Sequence, residues 1–126
     1  MELQKPILQV ENLQVDFLVK KHAITAVSDV SFQVNRRMTL GIVGESGCGK
    51  SVTATSIMRL LPKQTSRISK GHIYLDGEDL LAKSEQEMCA IRGVKESMIF
   101  QDPLTCLNPV YTVGKQLCEV LLAHKI

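Results

Sequence analysis

Alternation of apolar and polar residues predicts β-strands in the first third of the chain. Apolar residues fall at about every second position from Ile7 to Leu18, with a break near Glu11–Asn12, which predicts one or two half-buried strands. After a polar connection over Val19 to Thr25, the segment Ala26 to Val34 alternates again and predicts a further strand. The start of the chain is therefore predicted to be strand-rich.

The segment Thr39 to Val43 has a different pattern, because it is short and apolar without alternation. Such a run is typical of a strand that is buried on both faces. It is followed by GESGCGKS, which occupies Gly44 to Ser51, and then by a helical stretch from Val52 to Leu61 that Pro62 is expected to end. The order is therefore a buried strand, a glycine-rich loop and a helix.

The remainder of the chain mixes short predicted strands and helices. Ser84 is a candidate N-cap, since an acidic first turn follows it. Predicted strands cover Gly71–Leu75, ending at an Asp76–Gly77 turn, and Ser97–Gln101. Predicted helices cover Ser84–Arg92 and the amphipathic Val113–His124, and predicted loops cover Lys63–Lys70 and Asp102–Thr112.

Composition narrows the class of protein. A chain of 126 residues, 44% of them apolar, suits one folded domain with a modest core. The net charge is only +2 and adjacent basic residues occur only as Lys20–Lys21 and Arg36–Arg37, which gives nucleic-acid binding little support.

The cysteines and the apolar runs indicate a cytosolic setting. The four cysteines form no C-x-x-C pair, so we expect reduced thiols rather than a metal site or a disulfide framework. The N-terminus lacks the long apolar core of a signal peptide. No apolar run approaches the roughly 18 residues of a membrane helix, so any membrane role is expected to be peripheral, through a partner.

The glycine-rich loop is the segment of the sequence that indicates a phosphate-binding site. It matches G-x-x-x-x-G-K-[ST] at Gly44, Gly49, Lys50 and Ser51. Glycines let the backbone wrap tightly and turn its N–H groups onto phosphate oxygens, and the following helix directs its positive end at the same anion. Lys50 is expected to reach the β- and γ-phosphates, and the Ser51 hydroxyl to ligate Mg²⁺.

The alternative to a phosphate loop is a glycine-rich turn without a ligand. A chance match in a chain of this length has a probability on the order of 0.005. The preceding strand and following helix are the setting that the motif requires, which favours the phosphate loop. A dinucleotide fingerprint is excluded, because Gly44, Gly47 and Gly49 do not make G-x-G-x-x-G.

Three segments resemble the ATP-binding cassette family, and together they cover nearly the whole chain. The first is a two-strand lead-in, ILQVENLQVDF and then AVSDVSFQV. The second, GIVGESGCGKSVTATSIMRLLP, is similar to the P-loop and first helix of the oligopeptide and dipeptide importer ATPases. The third, MIFQDPLTCLNPVYTVGKQL, is similar to the glutamine loop of that subfamily.

The resemblance implies an α/β fold, the N-terminal part of a P-loop NTPase core of the cassette type. It implies one nucleotide-binding domain represented by its N-terminal part, with the C-terminal half absent. The implied segments are an antiparallel β lead-in over 1–37, the P-loop core over 38–101, and the glutamine loop with the start of a helical subdomain over 101–126.

The resemblance also implies roles for individual residues. Phe17 matches the aromatic residue that stacks on adenine, although it also suits a strand core. Gln101 matches the glutamine that reaches Mg²⁺ or the attacking water, so Gln101 and Lys50 are the implied catalytic residues and Ser51 and Gln101 the implied metal ligands. Besides Phe17, the residues implied to contact ATP are Gly44, Glu45, Ser46, Gly47, Cys48, Gly49, Lys50, Ser51 and Val52.

The function implied is that of the ATPase subunit of a peptide importer at the cytoplasmic face of the membrane, binding ATP and Mg²⁺. Its implied partners are transmembrane permease subunits, contacted through Asp102 to Tyr111, a second ATPase subunit and, indirectly, an extracellular solute-binding protein. No LSGGQ-like signature, Asp-Glu strand or switch histidine is found, so the chain is expected to be a truncated form that is inactive alone.

Three alternatives stay open at this stage. The transported solute is nickel or another small solute in the first alternative, since close relatives of peptide importers handle such solutes. In the second, the chain is a non-catalytic nucleotide-binding fragment. The third is a small P-loop kinase, which is disfavoured because Ser97 to Leu117 fits the transporter pattern and offers no lid.

Overall fold

The computed structural model describes residues 5–126, which form two compact units. The first unit ends at Lys83 and the second begins at Ser84. Residues 1–4, which the predicted lead-in includes, lie outside the described residues.

The first unit is built on one antiparallel sheet. Its strands are β1 (Leu8–Val19), β2 (His22–Val34), β3 (Ser66–Leu75) and the short β4 (Glu78–Asp79), in the order β2-β1-β3-β4. Helix α1 (Lys50–Ile57) lies between β2 and β3 along the chain. The predicted strand-rich start is confirmed, and β1 is its centre because it pairs with both β2 and β3.

Two features of the β1–β2 hairpin refine the prediction. The break expected near Glu11–Asn12 is a bulge within one strand, where Asn12 has a φ of +46° and the pairing with β2 slips. The polar connection predicted over 19–25 is wrong, because Val19 already pairs with His22. Lys20 and Lys21 make a two-residue turn with φ angles of +46° and +69°, the signs that a tight hairpin favours.

The core of the first unit lies against the sheet. Leu13, Val15 and Ile73 are fully buried, which matches the apolar face expected of β1 and β3. Burying a side chain of this size is worth about 1.5–3 kcal/mol. The other buried apolar residues of this unit are Val10, Val27, Met58 and Leu80.

The region after α1 differs from the prediction at two points. The helix ends at Ile57 instead of Leu61, because Arg59 adopts a φ of +52° and its guanidinium donates to the carbonyls of Leu80 (2.9 Å) and Lys83 (2.6 Å). The loop predicted over 63–70 is wrong in its second half. Ser66 onward belongs to β3, which pairs with the end of β1.

Two predicted strands are absent from the part of the chain that the structure describes. Thr39–Val43 and Ser97–Gln101 are both without assigned strand pairing. Most of their apolar side chains stay exposed, with 93% of Val43 and 91% of Ile99 accessible. A strand needs a neighbour for its backbone groups, and no described strand pairs with either segment.

The second unit consists of two helices and the loop between them. Helix α2 (Glu85–Ile91) begins at the predicted Ser84 cap, and Ser84 and Glu87 exchange side chain-to-backbone hydrogen bonds in a capping box. Helix α3 (Val113–His124) has the predicted bounds and is capped by Thr112. Between the helices lies a 3₁₀ turn over Pro103–Cys106.

Candidate phosphate-binding site

The glycine-rich loop joins the extended segment Thr39–Val43 to α1, and two of its glycines have left-handed backbones. Gly47 has a φ of +81° and Gly49 a φ of +95°. A Cβ on Gly49 would lie 2.9 Å from the Ala26 carbonyl oxygen and 3.1 Å from a Val27 methyl carbon. Only glycine therefore fits at the end of this loop, where the backbone packs against β2.

Lys50 is the first residue of α1, and its ammonium lies over the loop. The Nζ atom donates to the carbonyl oxygens of Gly44 (2.6 Å) and Glu45 (2.7 Å) and lies 3.5 Å from the Cys48 Sγ. These contacts keep the positive charge at the mouth of the loop. An anion in the loop would compete with the two carbonyls for this ammonium, and a charge-assisted hydrogen bond to phosphate is stronger than one to a neutral carbonyl.

The N-terminus of α1 has no cap of its own. Its N-cap residue is Gly49, which makes no side-chain hydrogen bond to the first turn, and that turn contains no acidic residue. The first N–H groups of a helix lack intrahelical partners and carry the positive end of the helix dipole. This end of α1 therefore suits an anion, with the exposed Ser51 and the half-buried Val52 next to it.

Three hydroxyl groups of α1 are bonded to the helix backbone. Thr53, Thr55 and Ser56 each donate to the backbone carbonyl four residues earlier, at 2.9, 2.7 and 2.6 Å. Hydroxyls bonded in this way are held against the helix itself. The Ser51 side chain, by contrast, lies in the first turn of α1 and is exposed.

A cleft of about 380 Å³ is lined in part by the loop residues Cys48, Gly49 and Lys50. Its lining is mostly apolar, so it suits side-chain packing better than phosphate. The lining residues are Val30, Phe32, Leu40, Gly41, Ile42, Val43, Cys48, Gly49, Lys50 and Thr53.

Phe17 lies near the end of β1 and is half-buried, paired with Ile24 on one side and Ser66 on the other. Gly49 approaches β2 at Ala26–Val27, and Val27 pairs with Val15 of β1. Phe17 is therefore two residues, or roughly 7 Å, along β1 from Val15, the residue that pairs with Val27. The loop packs on β2, and Phe17 lies on the neighbouring strand of the same sheet.

Asp16 fixes the backbone next to Phe17. Its side chain is buried and accepts hydrogen bonds from Thr25 (2.8 Å) and Gln14 (3.3 Å). Hydrogen bonds from the hydroxyls of Ser69 and Thr25 hold the pKa of the Asp16 carboxyl below its ordinary value of 3.8. An ionised carboxylate thus links β1 to both neighbouring strands beside Phe17.

Gln101 belongs to the second unit, whereas the other predicted site residues belong to the first. It is exposed and lies just before the 3₁₀ turn instead of at the end of a strand. The loop that follows is held by Gln116, whose amide donates to the carbonyls of Asn108 and Tyr111 and accepts from the Asn108 N–H.

The sequence did not identify two supporting features of this region. Ala26–Val27 supports the loop through the close approach of Gly49, and the glycine in the motif is the only local signal of that contact. Gln116 orders the loop after Gln101, and a lone glutamine inside a helix gives no signal of such a role.

Some features of the described part of the chain bear on other kinds of site. The four cysteines are free and exposed. Within residues 5–126, no cluster of three or more His, Cys, Asp or Glu side chains could hold a metal ion. None of the helices seen over the same range has the length and apolar character needed to cross a membrane.

Comparison with known proteins identifies the family. A sequence profile described as ABC transporter matches residues 27–125. The dipeptide transport ATP-binding protein DppD of Bacillus subtilis is 51% identical over 119 residues, which is 94% of this chain and 36% of DppD. The oligopeptide transport ATP-binding proteins AppD and OppD of the same organism are 47% and 44% identical over 119 residues, 94% of this chain and 36% and 33% of theirs.

The chain spans about a third of the length of these curated relatives. The match over residues 27–125 includes the glycine-rich loop, α1 and the segment around Gln101. The predicted fold class, the N-terminal part of a P-loop ATPase of the cassette type, is confirmed by this match. The chain belongs to the ABC transporter family.

Proposed function

We propose that this chain is the ATP-binding part of a subunit that energises peptide import by an ABC transporter. The observation that carries the proposal is the loop from Gly44 to Lys50, with its left-handed glycines, its lysine over the mouth and the uncapped helix behind it. Three similar proteins named for dipeptide or oligopeptide transport support the peptide substrate.

The residues of the loop fit the phosphates of a nucleoside triphosphate. The run Gly44 to Val52 would surround the β- and γ-phosphates, with Lys50 leaving the carbonyls of Gly44 and Glu45 to meet them. Ser51, exposed at the start of α1, and Gln101 would ligate Mg²⁺. The ion, when bound, would neutralise charge on the phosphate oxygens. Phe17 would stack on adenine at the partly exposed end of β1.

The domain division and the partners are part of the same proposal. Residues 1–37 form the β lead-in, 38–101 the P-loop core, and 101–126 the glutamine loop and the start of a helical subdomain. The segment Asp102 to Tyr111 would contact the permease, and it exposes 81% of Leu104 and 82% of Val110. A second ATPase subunit and, indirectly, a solute-binding protein complete the assembly at the cytoplasmic face of the membrane.

ATP hydrolysis belongs to the complete transporter in this proposal. The 126 residues contain no apolar strand followed by Asp-Glu and no LSGGQ-like segment. A general base for water and the element that completes a partner's site are therefore missing. We expect this chain alone to bind ATP without turning it over.

Titration of the purified chain with an ATP analogue and Mg²⁺ in a calorimeter tests the proposal, using Lys50→Ala. The substitution removes the charge that meets the β- and γ-phosphates, so affinity should weaken by about 1.5–3 kcal/mol. Lys5→Ala removes the same charge from an exposed position before β1 and should leave affinity unchanged. Equal affinity of Lys50→Ala and the parent, both folded, would remove Lys50 from the site.

A further inference from the structure

Glu96 closes a tight turn between α2 and the segment that leads to Gln101. The Gly93 N–H donates to the Glu96 carbonyl at 2.7 Å, and the Lys95 N–H donates to Ile91 at 2.8 Å. Arg92 and Glu96 also form an isolated β-bridge. The backbone of residues 92–96 is therefore a closed turn, with its last residue five positions before Gln101.

The side chain of Glu96 is placed unusually for a carboxyl group. Both of its oxygens are buried, and neither has a hydrogen-bond partner among the described residues. Burial raises the pKa of the Glu96 carboxyl above its ordinary value of 4.5, and the charge of Arg92 opposes that rise without cancelling it. The neutral acid is therefore the form that this position favours.

Arg92 is the charged group that acts on Glu96 in the described structure, and it already has another partner. From α3, the titratable ring of His124 also reaches this turn, since a Cβ on Gly93 would lie 2.7 Å from its Nε2 atom. Its Nη1 atom donates to Glu85 Oε1 at 2.5 Å, and only 17% of the Arg92 side chain is exposed. Glu85 lies in the first turn of α2, whereas Glu96 lies beyond the end of α2. The largely buried Arg92 guanidinium thus acts on the carboxyl groups of both Glu85 and Glu96. It donates a hydrogen bond to Glu85 but not to Glu96.

We propose that Glu85, Arg92 and Glu96 form a proton-operated latch on the turn that precedes Gln101. With Glu96 protonated, its side chain stays inside and Arg92 stays on Glu85. When Glu96 loses its proton, the carboxylate draws Arg92 away from Glu85, and this change loosens the turn. Any effect of this turn on Gln101, five residues further along the chain, rests on the proposed function, but the latch itself does not.

The direction of the pH dependence follows from the raised pKa of Glu96. The folded chain holds this proton more tightly than the unfolded chain does. The stabilisation is therefore fully present below about pH 4.5 and is lost as pH rises through the folded-state pKa. Between those two values, the folding constant should fall with rising pH on account of Glu96, by at most about tenfold for each pH unit.

Carboxyl-carbon NMR titration of the 126-residue chain tests the latch without any substitution and without nucleotide. We expect Glu96 to titrate above pH 4.5, and the resonances of Glu85 and the Arg92 guanidinium to move at the same midpoint. Glu96 titrating at or below 4.5 would overturn the proposal. So would a Glu96 titration that leaves Glu85 and Arg92 unmoved.

Urea unfolding between pH 4 and pH 8 adds a second readout. Glu96→Gln should lose the parent's fall in stability with rising pH, and Glu96→Leu, which fills the same interior position without a proton, should lose it too. Glu11→Gln, a change on β1, should keep it. The parent's pH dependence persisting in both Glu96 variants would contradict the latch, and neither readout depends on ATP binding.

Discussion

Helices α1 and α2 begin in opposite ways. Ser84 accepts a hydrogen bond from the Glu87 N–H, the Glu87 carboxylate accepts one from the Ser84 N–H, and Glu85 adds a second negative charge to the first turn of α2. Helix α1 begins at Gly49, which has no side chain to offer, and its first turn holds no acid. The chain therefore satisfies one helix N-terminus and leaves the other open.

The difference between the two helix starts shows how a fold can leave backbone N–H groups available to bind a ligand. A glycine at the cap position forgoes only roughly a few tenths of a kcal/mol of the stabilisation that a serine cap would contribute. The α1 cap position also excludes any side chain, since Gly49 has a φ of +95° and a Cβ there would lie 2.9 Å from the Ala26 carbonyl oxygen. A helix start without a cap or an acid makes sense if a phosphate supplies the missing acceptor and the missing negative charge.

The largest effect is expected when Gly49 is replaced. Gly49→Ala places a methyl group at a left-handed backbone, which costs about 1–2 kcal/mol, and against the Ala26 carbonyl, which adds about 1–3 kcal/mol of overpacking. Gly47→Ala has the same sign of φ but open space around the Cβ position, so only the first cost applies. Urea unfolding of both variants measures the difference, and equal losses would show that the packing of Gly49 on β2 is unimportant.

Local sequence patterns predicted the elements whose determinants lie close together along the chain. The Ser84 cap and the bounds of α3 are examples, because a cap or an amphipathic stripe is complete within a few turns. The segments 39–43 and 97–101 were predicted as strands and are not, since pairing depends on a neighbour that an apolar pattern does not supply. The early end of α1 at Arg59 depends on carbonyls more than 20 residues later.

The candidate site was predictable to a similar degree. The motif alone located the glycines, Lys50 and Ser51, because each follows from the chemistry of holding a phosphate. The support that Ala26–Val27 gives to Gly49 required the folded sheet, since β2 lies more than 20 residues earlier. The roles of Phe17 and Gln101 stay predictions until a nucleotide is bound.

A smaller loss of stability than that of Gly49→Ala is expected when the cap of α2 is removed. Ser84→Ala removes the acceptor for the Glu87 N–H and should lower the free energy of unfolding by about 0.5–2 kcal/mol. Because this helix start holds no ligand in our proposal, affinity for the ATP analogue should stay unchanged. Ser97→Ala, at an exposed position outside any helix, is the matched control. A loss of ATP affinity in Ser84→Ala alone would break the contrast between a structural and a ligand-binding helix start.

The smallest loss of stability is expected for Glu87→Gln, a substitution that separates the charge of Glu87 from its hydrogen bond at the same cap. Glu87→Gln keeps an oxygen that can accept from the Ser84 N–H, but it removes the negative charge from the first turn of α2. The loss should be about 0.3–1 kcal/mol at low ionic strength. It should fade in about 1 M salt, where charges more than roughly 3 Å apart are screened. Unfolding of parent and variant in urea at both salt concentrations measures the loss of stability.

A loss that salt leaves unchanged would mean that the Glu87 hydrogen bond, and not its charge, stabilises the helix. In that case, the positive end of α1 would also be a weaker argument for phosphate than its open N–H groups.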